Sequence, residues 1–546
     1  MTSWNLADIW EAVADARPGA TAQRCGDRAF TYGEFDRRAD AVAADLLDAG
    51  LGQQSKVAAY LYNGPEYLET YFAAFKAGMV PVNVNYRYGP SELIYLLDNA
   101  DAEAVVFHAV FAPVVEEIRS KLPGVRRWYV VSDGSPPPEW ATPYERVVDG
   151  AAGPESPRRV VAPWGRSGDD LLLLYTGGTT GMPKGVMWRQ DDLVNVLGSG
   201  GNPLLGVPPA ADIAEIRARL EGNPDAMSSL PACPLMHGTG QFSGFIAIIG
   251  GGCVVTLPDR KFDPAALWQA VSTHGVHSVA IVGDAFARPM LAELDANPGK
   301  HDLSRLKLIN SSGVMWSQEV KDGLLRHIPH AILFDSLGSS EGVGLGASVS
   351  AGGSAAGTAQ FALGQNVRVL TPDDRDVEPG SGEVGVIALP GFLPVGYYKD
   401  PEKSARTWRL IDGVRYVLPG DCATVEADGA IKLLGRGSVV INTGGEKVYP
   451  EEIEEVIKRM EGVADAVVVG VPDDRFGERV CAVVEMRPGA SATAADVEEA
   501  VRAELAGYKV PRRVMFVDSI GRSPAGKVDY KRIGREAADH AKTKVG

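Results

Sequence analysis

Residues 171–185 read Leu-Leu-Leu-Leu-Tyr-Thr-Gly-Gly-Thr-Thr-Gly-Met-Pro-Lys-Gly, and no other stretch limits what the chain can fold into as strongly. The apolar run forms a buried strand, and the glycines after it break that strand into a loop. Gly177, Gly178 and Gly181 let backbone N–H groups turn toward an anion, Thr176, Thr179 and Thr180 add hydroxyl donors, and Lys184 adds a positive charge. By chemistry the loop is a phosphate cradle. It is not a Walker A loop, because the Gly-Lys-Ser/Thr ending is absent and Pro183 prevents the loop from running straight into a helix. An ordinary glycine-rich turn accounts for a lone GxxG but not for the whole string.

The surrounding sequence alternates between helical and strand-like stretches. Thr31 and Glu34 have capping-box spacing, and Phe35, Ala39, Val42 and Leu46 recur at helical intervals until Gly50. An apolar run at 56–61, a helical pattern over 65–78, a run at 80–84, a helix after Pro90 and a run at 104–107 follow. This order predicts an α/β fold with largely parallel sheets. Residues 132–168, rich in Pro, Gly and Ser, are expected to be a surface connection, and the Gly/Ala/Ser-rich residues 342–364 a second loop. After Arg436 the pattern changes to a charged helix over 450–461, strands over 466–471 and 480–485, and a helix near 494–505. About 110 residues of α+β pattern suffice for a separate, smaller C-terminal domain.

With 546 residues, 45% of them hydrophobic, the chain can bury sizeable cores in more than one folding unit. Its formal charge of −16 argues against nonspecific attraction to nucleic acid or anionic lipid as its main function. Cys25, Cys233, Cys253, Cys422 and Cys481 are scattered and never form a CxxC pair, so neither a disulfide framework nor a zinc cluster is indicated. His274 and His277 are three apart with no third ligand nearby in sequence. The first residues lack a basic run followed by an apolar stretch, and no segment has the roughly 20 apolar residues of a membrane helix. The expectation is a cytoplasmic protein without a transmembrane segment, for which peripheral membrane contact stays open.

Further strings follow the phosphate loop in order: Leu337-Gly338-Ser339-Ser340-Glu341, Gly396-Tyr397-Tyr398 with Pro401-Glu402, Pro419-Gly420-Asp421, Gly435-Arg436, Gly444-Gly445-Glu446-Lys447, and Ser523-Pro524-Ala525-Gly526-Lys527. With the loop they resemble, across nearly the whole chain, the adenylate-forming superfamily of acyl-CoA synthetases, adenylation domains and firefly-type luciferases. The resemblance implies a large N-terminal domain over 1–435, a hinge at 436–440 and a mobile C-terminal domain over 441–546. It implies ATP, CoA and Mg2+ as cofactors and a small-molecule carboxylic acid as substrate, with acyl-AMP formed first and the thioester second.

Carried over residue by residue, the resemblance places Thr176, Thr179, Thr180, Lys184 and the loop glycines on the phosphates, and Glu341 on magnesium. Asp421 and Arg436 fall on the ribose, Leu337 and Ser340 on the adenine motif, and Gly444, Gly445 and Glu446 among the cofactor-binding residues. The match to the last motif would make Lys527 the lysine that bridges carboxylate and α-phosphate, and His237 matches a family position near the carboxylate and acyl pocket. The residue types suit these roles, since preplaced cations and N–H donors stabilise charge that builds on phosphate, and a carboxylate is a hard oxygen ligand. Three positions depart from the family pattern. Leu337 stands where many members have an aromatic residue, Pro419 replaces a threonine, and Ser438 occupies the hinge position where Asp or Lys is frequent. Met182, Met187 and Trp188 are expected in the core or the pocket wall.

Several strings, among them Pro183-Lys184-Gly185-Val186-Met187-Trp188-Arg189 and Asp335-Ser336-Leu337-Gly338, look like actinobacterial fatty-acyl-CoA synthetases of the type that activates steroid side-chain carboxylates. That subgroup carries a long segment between the phosphate loop and the His237 motif, here 191–229, with a helical pattern near 210–221. An enlarged apolar pocket fits a sterol side chain or a long acyl chain. A general medium- or long-chain fatty acyl-CoA ligase is the alternative, and a stand-alone adenylation or luciferase-like enzyme a more remote one.

Overall fold

Thr31 closes the capping box that its spacing predicts: its Oγ1 accepts the Glu34 N–H at 3.2 Å while the Glu34 carboxylate accepts the Thr31 N–H at 2.7 Å, opening the helix Tyr32–Asp48. A computed structural model describes residues 3–150, 159–176, 182–221, 225–314, 316–352, 356–436, 440–443, 446–473, 477–505, 507–523 and 528–543. Its described strands form sheets of fifteen, eight and five strands.

The alternating N-terminal sequence builds the eight-stranded sheet. Lys56–Tyr60, Val80–Asn83, Ala102–His108 and Arg127–Val131 pair in parallel, as β-α-β connections require, with the helices Pro65–Lys76 and Pro90–Asn99 between them. The leucine-rich strand Leu171–Thr176 joins Val80–Asn83 in parallel and turns back antiparallel as Lys184–Arg189. Gly396–Tyr397 adds an edge to that last strand, which sets Tyr397 opposite Val186.

The fifteen-stranded sheet has a parallel half, in which Val254–Thr256, Ser229–Pro231, Ser278–Ile281, Leu308–Ser312 and Ile332–Ser339 lie in that order. Its other half is antiparallel and includes Gly342–Ser350, Gln360–Leu363, Ile431–Arg436 and Asp421–Val425. The α/β class holds, with mixed rather than uniformly parallel sheets. Within 342–364, where composition suggested a loop, Gly342–Ser350 and Gln360–Leu363 are strands. Small residues are needed there because a Cβ on Gly342 would stand 2.8 Å from Val417, and one on Gly346 3.0 Å from the Ala362 carbonyl. The connection over 132–168 is likewise anchored rather than purely superficial, since it contains the helix Tyr144–Gly150, and buried Tyr144 donates to Glu69 at 3.0 Å. In the C-terminal part, Val463–Asp473, Gly477–Met486 and Arg513–Val517 form the five-stranded sheet with two short strands, packed on the helix Pro450–Lys458.

Trp10 sits at the centre of the largest core, edge-on to Phe72 and Phe245 with centroids 5.3 Å from each. Phe245 belongs to the helix Gly238–Ile249, so this aromatic cluster fixes a helix that lines the site. Beside it the fully buried ammonium of Lys76 meets Glu11 at 2.8 Å, Asp36 at 2.7 Å and Asp40 at 2.9 Å, tying three helices together. Among the described residues no helix is long and apolar enough to cross a membrane. Replacing Lys76 with Met leaves the buried Asp40 carboxylate without its cation, while Glu11 keeps Arg166 and Asp36 keeps Arg159, at an expected cost of about 3–5 kcal/mol. The measurement is the thermal midpoint; an unchanged midpoint would show that the carboxylates do not depend on Lys76.

Candidate active site

The Leu171–Thr176 strand delivers the phosphate loop, and the carboxamide of Asn83 fixes its end. Asn83 Nδ2 donates to the Tyr175 carbonyl at 2.9 Å and to the Met236 carbonyl at 2.6 Å, while its Oδ1 accepts the Tyr175 N–H at 2.6 Å. One buried side chain thus joins the strand before the loop to the residue before His237. Thr176 and His237 both line a continuous cavity of about 2010 Å3.

Lys184, at the start of the returning strand, also lines this cavity and forms an ion pair with Asp400. Its ammonium lies 5.7 Å from the centre of the Tyr397 ring. The hydrogen bond from Lys184 holds the Asp400 carboxyl below the usual carboxylate range. Tyr397 in turn donates its hydroxyl to Glu341 Oε1 at 2.9 Å, and the Trp188 indole donates to the Ser340 carbonyl at 3.0 Å, so two side chains of the smaller sheet orient the Ser340-Glu341 turn of the larger one. Leu337 is buried against that turn as part of the core and lines the cavity. Asp421, buried at the start of its strand, follows Gly420, whose φ of +98° is the left-handed conformation that admits glycine cheaply. Its strand partner in register is Arg436.

The structure therefore gathers Thr176, Lys184, His237, Leu337, Ser340, Glu341 and Asp421 around one cavity. Gly177, Gly178, Thr179, Thr180, Gly181, Gly444, Gly445, Lys527 and the hinge residue Ser438 lie outside the described residues, as do the side chains of Arg436 and Glu446. The flanks of the Lys527 motif are described. Arg522 Nη2 donates to Asp465 at 3.0 Å, the Tyr530 hydroxyl donates to Glu454 at 3.4 Å, and Arg522 and Tyr530 both face the same cavity. Trp188 is buried, whereas Met182, expected in core or wall, is exposed.

From the end lined by Thr176, Glu341 and Asp421, the cavity continues between a sheet face and a helix. On the sheet, Ser312, Asn310 and Leu308 alternate onto the channel while Ile309 points into the core behind. Above them the helix Gly238–Ile249 presents Thr239, Phe242, Ser243, Ile246 and Ile249, one face of its length. Twelve residues at about 1.5 Å each make that roof roughly 18 Å long. Leu197, Leu204, Leu205 and Val207, from the long segment after the phosphate loop, complete the wall. That segment contains the helix Ile213–Glu221, three residues shorter at its start than its periodicity suggests.

Sequence reasoning missed Asn83, Tyr397 and Asp400 as site residues. Tyr397 and Asp400 lie in a recognisable string, but their partners Glu341 and Lys184 are 56 and 216 residues away. Asn83 has no local signal beyond a polar residue ending an apolar run.

Residues 10–394 match the AMP-binding enzyme family, and residues 452–527 match the AMP-binding enzyme C-terminal domain. A medium/long-chain-fatty-acid–CoA/3-oxocholest-4-en-26-oate–CoA ligase of Mycolicibacterium smegmatis is 43% identical over 535 residues, 96% of this chain and 95% of that protein. A 3-oxocholest-4-en-26-oate–CoA ligase of Rhodococcus rhodochrous is 42% identical over 537 residues, again 96% and 95%. Among solved structures, ATP-bound MatB from Rhodopseudomonas palustris aligns with a TM-score of 0.80 at 25% identity, covering 98% of this chain and 100% of that one.

Asn83→Ala would orphan the Tyr175 N–H and weaken two carbonyl anchors, with about 1–3 kcal/mol expected for each buried group left unpaired. Amide exchange at Tyr175 should accelerate more than exchange in the strand Ala102–His108 of the same sheet. Uniform protection across both strands would show that the loop is held by other contacts.

Proposed function

The chain belongs to the AMP-binding enzyme family and is an acid–thiol ligase, and on that premise we propose that it converts a steroid side-chain carboxylate, in preference to a straight-chain fatty acid, through acyl-AMP to the CoA thioester. The observation that carries the substrate reading is the channel, which runs from the nucleotide end for roughly 18 Å, the length of a twelve-residue helix. A small acid would leave most of it unfilled. The Rhodococcus rhodochrous relative is named for 3-oxocholest-4-en-26-oate alone, which supports the steroid reading, and the Mycolicibacterium smegmatis one for that acid and medium- and long-chain fatty acids alike.

In the first half-reaction a carboxylate oxygen of the acid attacks the α-phosphorus of ATP, and the bond to pyrophosphate breaks. Thr176, Thr179, Thr180, the N–H groups of Gly177, Gly178 and Gly181, and Lys184 hold the leaving phosphates, where preplaced donors act most strongly as charge develops. Leu337 and Ser340 flank the adenine, Asp421 accepts from the ribose hydroxyls, and Arg436 donates to the ribose. Gly444, Gly445 and Glu446 border the nucleotide from the C-terminal side. Lys527 spans carboxylate and α-phosphate, and His237, at the channel mouth, orients the carboxylate.

Glu341 fits a magnesium ion by its chemistry: it is a hard carboxylate donor at the nucleotide end of the cavity, fixed at one oxygen by Tyr397. Held there by Glu341, magnesium would supply positive charge against the phosphates. In the second half-reaction the thiol of CoA loses its proton and its sulfur attacks the acyl carbonyl, and the carbon–oxygen bond to AMP breaks. The domain over 441–546 turns about 436–440 between the two, which replaces Lys527 at the reacting centre.

Lys527→Ala should lower ATP–pyrophosphate exchange by about 10²–10³-fold, as for loss of one charge-stabilising donor. The same variant should still convert preformed acyl-AMP and CoA to thioester. Near-normal exchange would remove Lys527 from the first step.

The substrate reading is tested by exchange and thioester formation over a panel from acetate to 3-oxo-cholestenoate. The steroid acid should exceed palmitate and octanoate in kcat/KM by at least about tenfold, which needs roughly 1.4 kcal/mol of differential transition-state binding. Equal or better turnover of straight-chain acids would leave a general fatty acyl-CoA ligase.

A further inference from the structure

The far end of the channel is polar. At the nucleotide end the strands Leu308–Ser312 and Ile332–Ser339 finish side by side, with Ser312 opposite Ser336. At the opposite end Leu308, Ser278 and Ser229 stand abreast on three neighbouring strands, and all three line the channel. Alternation settles which way Ser229 faces, because Leu230 beside it packs into the core behind the sheet. Ser229 is 5% exposed, and its Oγ has no hydrogen-bond partner among the described residues.

Its neighbour Ser228 is fully engaged. The Ser228 N–H donates to His277 Nδ1 at 3.1 Å, the His277 N–H donates to Ser228 Oγ at 3.2 Å, and Arg305 reaches His277 Nε2 at 3.0 Å. Behind Ser228 lies a second, small pocket of about 190 Å3 lined by Arg17, His274, His277 and Arg305, which shares Ala226 and Ser228 with the channel. A channel shaped for a terminal methyl group would be expected to close on apolar side chains. This one ends on Ser228, Ser229 and Ser278 beside Leu308 and Met227, backed by a polar cluster, with one buried hydroxyl left over.

We propose that Ser229 is a specificity-determining residue whose hydroxyl donates a hydrogen bond to a carbonyl oxygen at the distal end of the bound acid. The inference rests on the proposed activation of a long acid whose carboxylate lies at the His237 end. A rigid fused-ring acid with a ring ketone opposite its carboxylate holds an acceptor at that depth, whereas a saturated chain leaves the hydroxyl unpaired. Pairing a buried donor that is otherwise orphaned discriminates more sharply than adding apolar contact. The neighbouring Ser278 carries a second hydroxyl on the same face, and Ser228 and His277 hold the strand end in place.

The test compares wild-type enzyme with Ser229→Ala on four acids: a 3-oxo steroid side-chain acid, its 3-deoxy analogue, hexadecanoate, and hexadecanoate bearing a terminal aldehyde. The variant should lose about fivefold to tenfold in kcat/KM on the two acids with a distal carbonyl, and stay within about twofold of wild type on the other two. Because the hydroxyl is unpaired, its thermal midpoint should match or exceed that of wild type, so loss by unfolding is read separately. Equal losses on all four acids, or none, would overturn the assignment. Failure of wild type to activate either steroid acid sinks the substrate reading alone, since the hexadecanoate pair still tests Ser229.

Discussion

Two asparagine side chains hold the site together. Asn83 closes the strand Val80–Asn83 and grips both Tyr175, before the phosphate loop, and Met236, before His237. Asn63, just past the neighbouring strand Lys56–Tyr60, donates to the Cys233 carbonyl at 3.1 Å and accepts the Leu235 N–H at 2.7 Å. The segment 233–236 is thereby stapled at both ends to the eight-stranded sheet, while the strand before it and the helix after it belong with the fifteen-stranded one. Only a side chain that donates and accepts at once can serve two such backbone positions, which is why neither a carboxylate nor an apolar residue would substitute. Catalytic geometry across two sheets needs this rigidity, because a group displaced by about 1 Å can cost two orders of magnitude in rate.

The channel that leaves this junction has unlike walls. Its roof is largely apolar, with Phe242, Ile246 and Ile249, and its floor carries Ser312, Asn310 and Ser278. Midway the polar groups meet one another: Asn310 donates to Ser243 Oγ at 3.2 Å, and Ser243 donates to the Thr239 carbonyl at 2.7 Å. These pairs tie the helix to the sheet midway and leave the groups satisfied without a ligand, so an apolar acid passing beside them meets little desolvation cost. Burial of that acid, at about 25 cal/mol per Å2 of apolar surface, is remote from the reacting carboxylate and can be used to orient it.

Much of this was legible in the sequence, for physical reasons that differ by element. The capping box at Thr31, the βα alternation and the charged C-terminal helix depend on neighbours within a few residues, and the structure has them where the spacing puts them. Glycine-rich 342–350 misled because composition reports local freedom, while its strand is imposed by pairing with Ile332–Ser339. At the site, the residues in contiguous motifs could be named in advance. Asp400 and Tyr397 as partners of Lys184 and Glu341 could not, since the strand pairing of Gly396–Tyr397 with Lys184–Arg189 joins positions over 200 residues apart. Ser229 has no motif at all: its meaning comes from standing abreast of Ser278 and Leu308 at the end of a channel.

A chain of charge −16 whose proposed substrates are anions must attract them locally. Lys184 shows how that is arranged. Its ammonium is already paired with Asp400, so the cation is held in position and is not drawn elsewhere by the surrounding acids. Asp400 does not depend on Lys184 alone for its stabilisation. It caps the helix Pro401–Thr407, accepting the Lys403 N–H at 3.0 Å at the positive end of the helix dipole. When Lys184 turns to phosphate in the proposed first step, the carboxylate it leaves behind remains hydrogen-bonded and favourably placed. The exchange replaces one anion by another around a fixed cation, and the cost of breaking the resting pair falls mainly on a group that has a second partner.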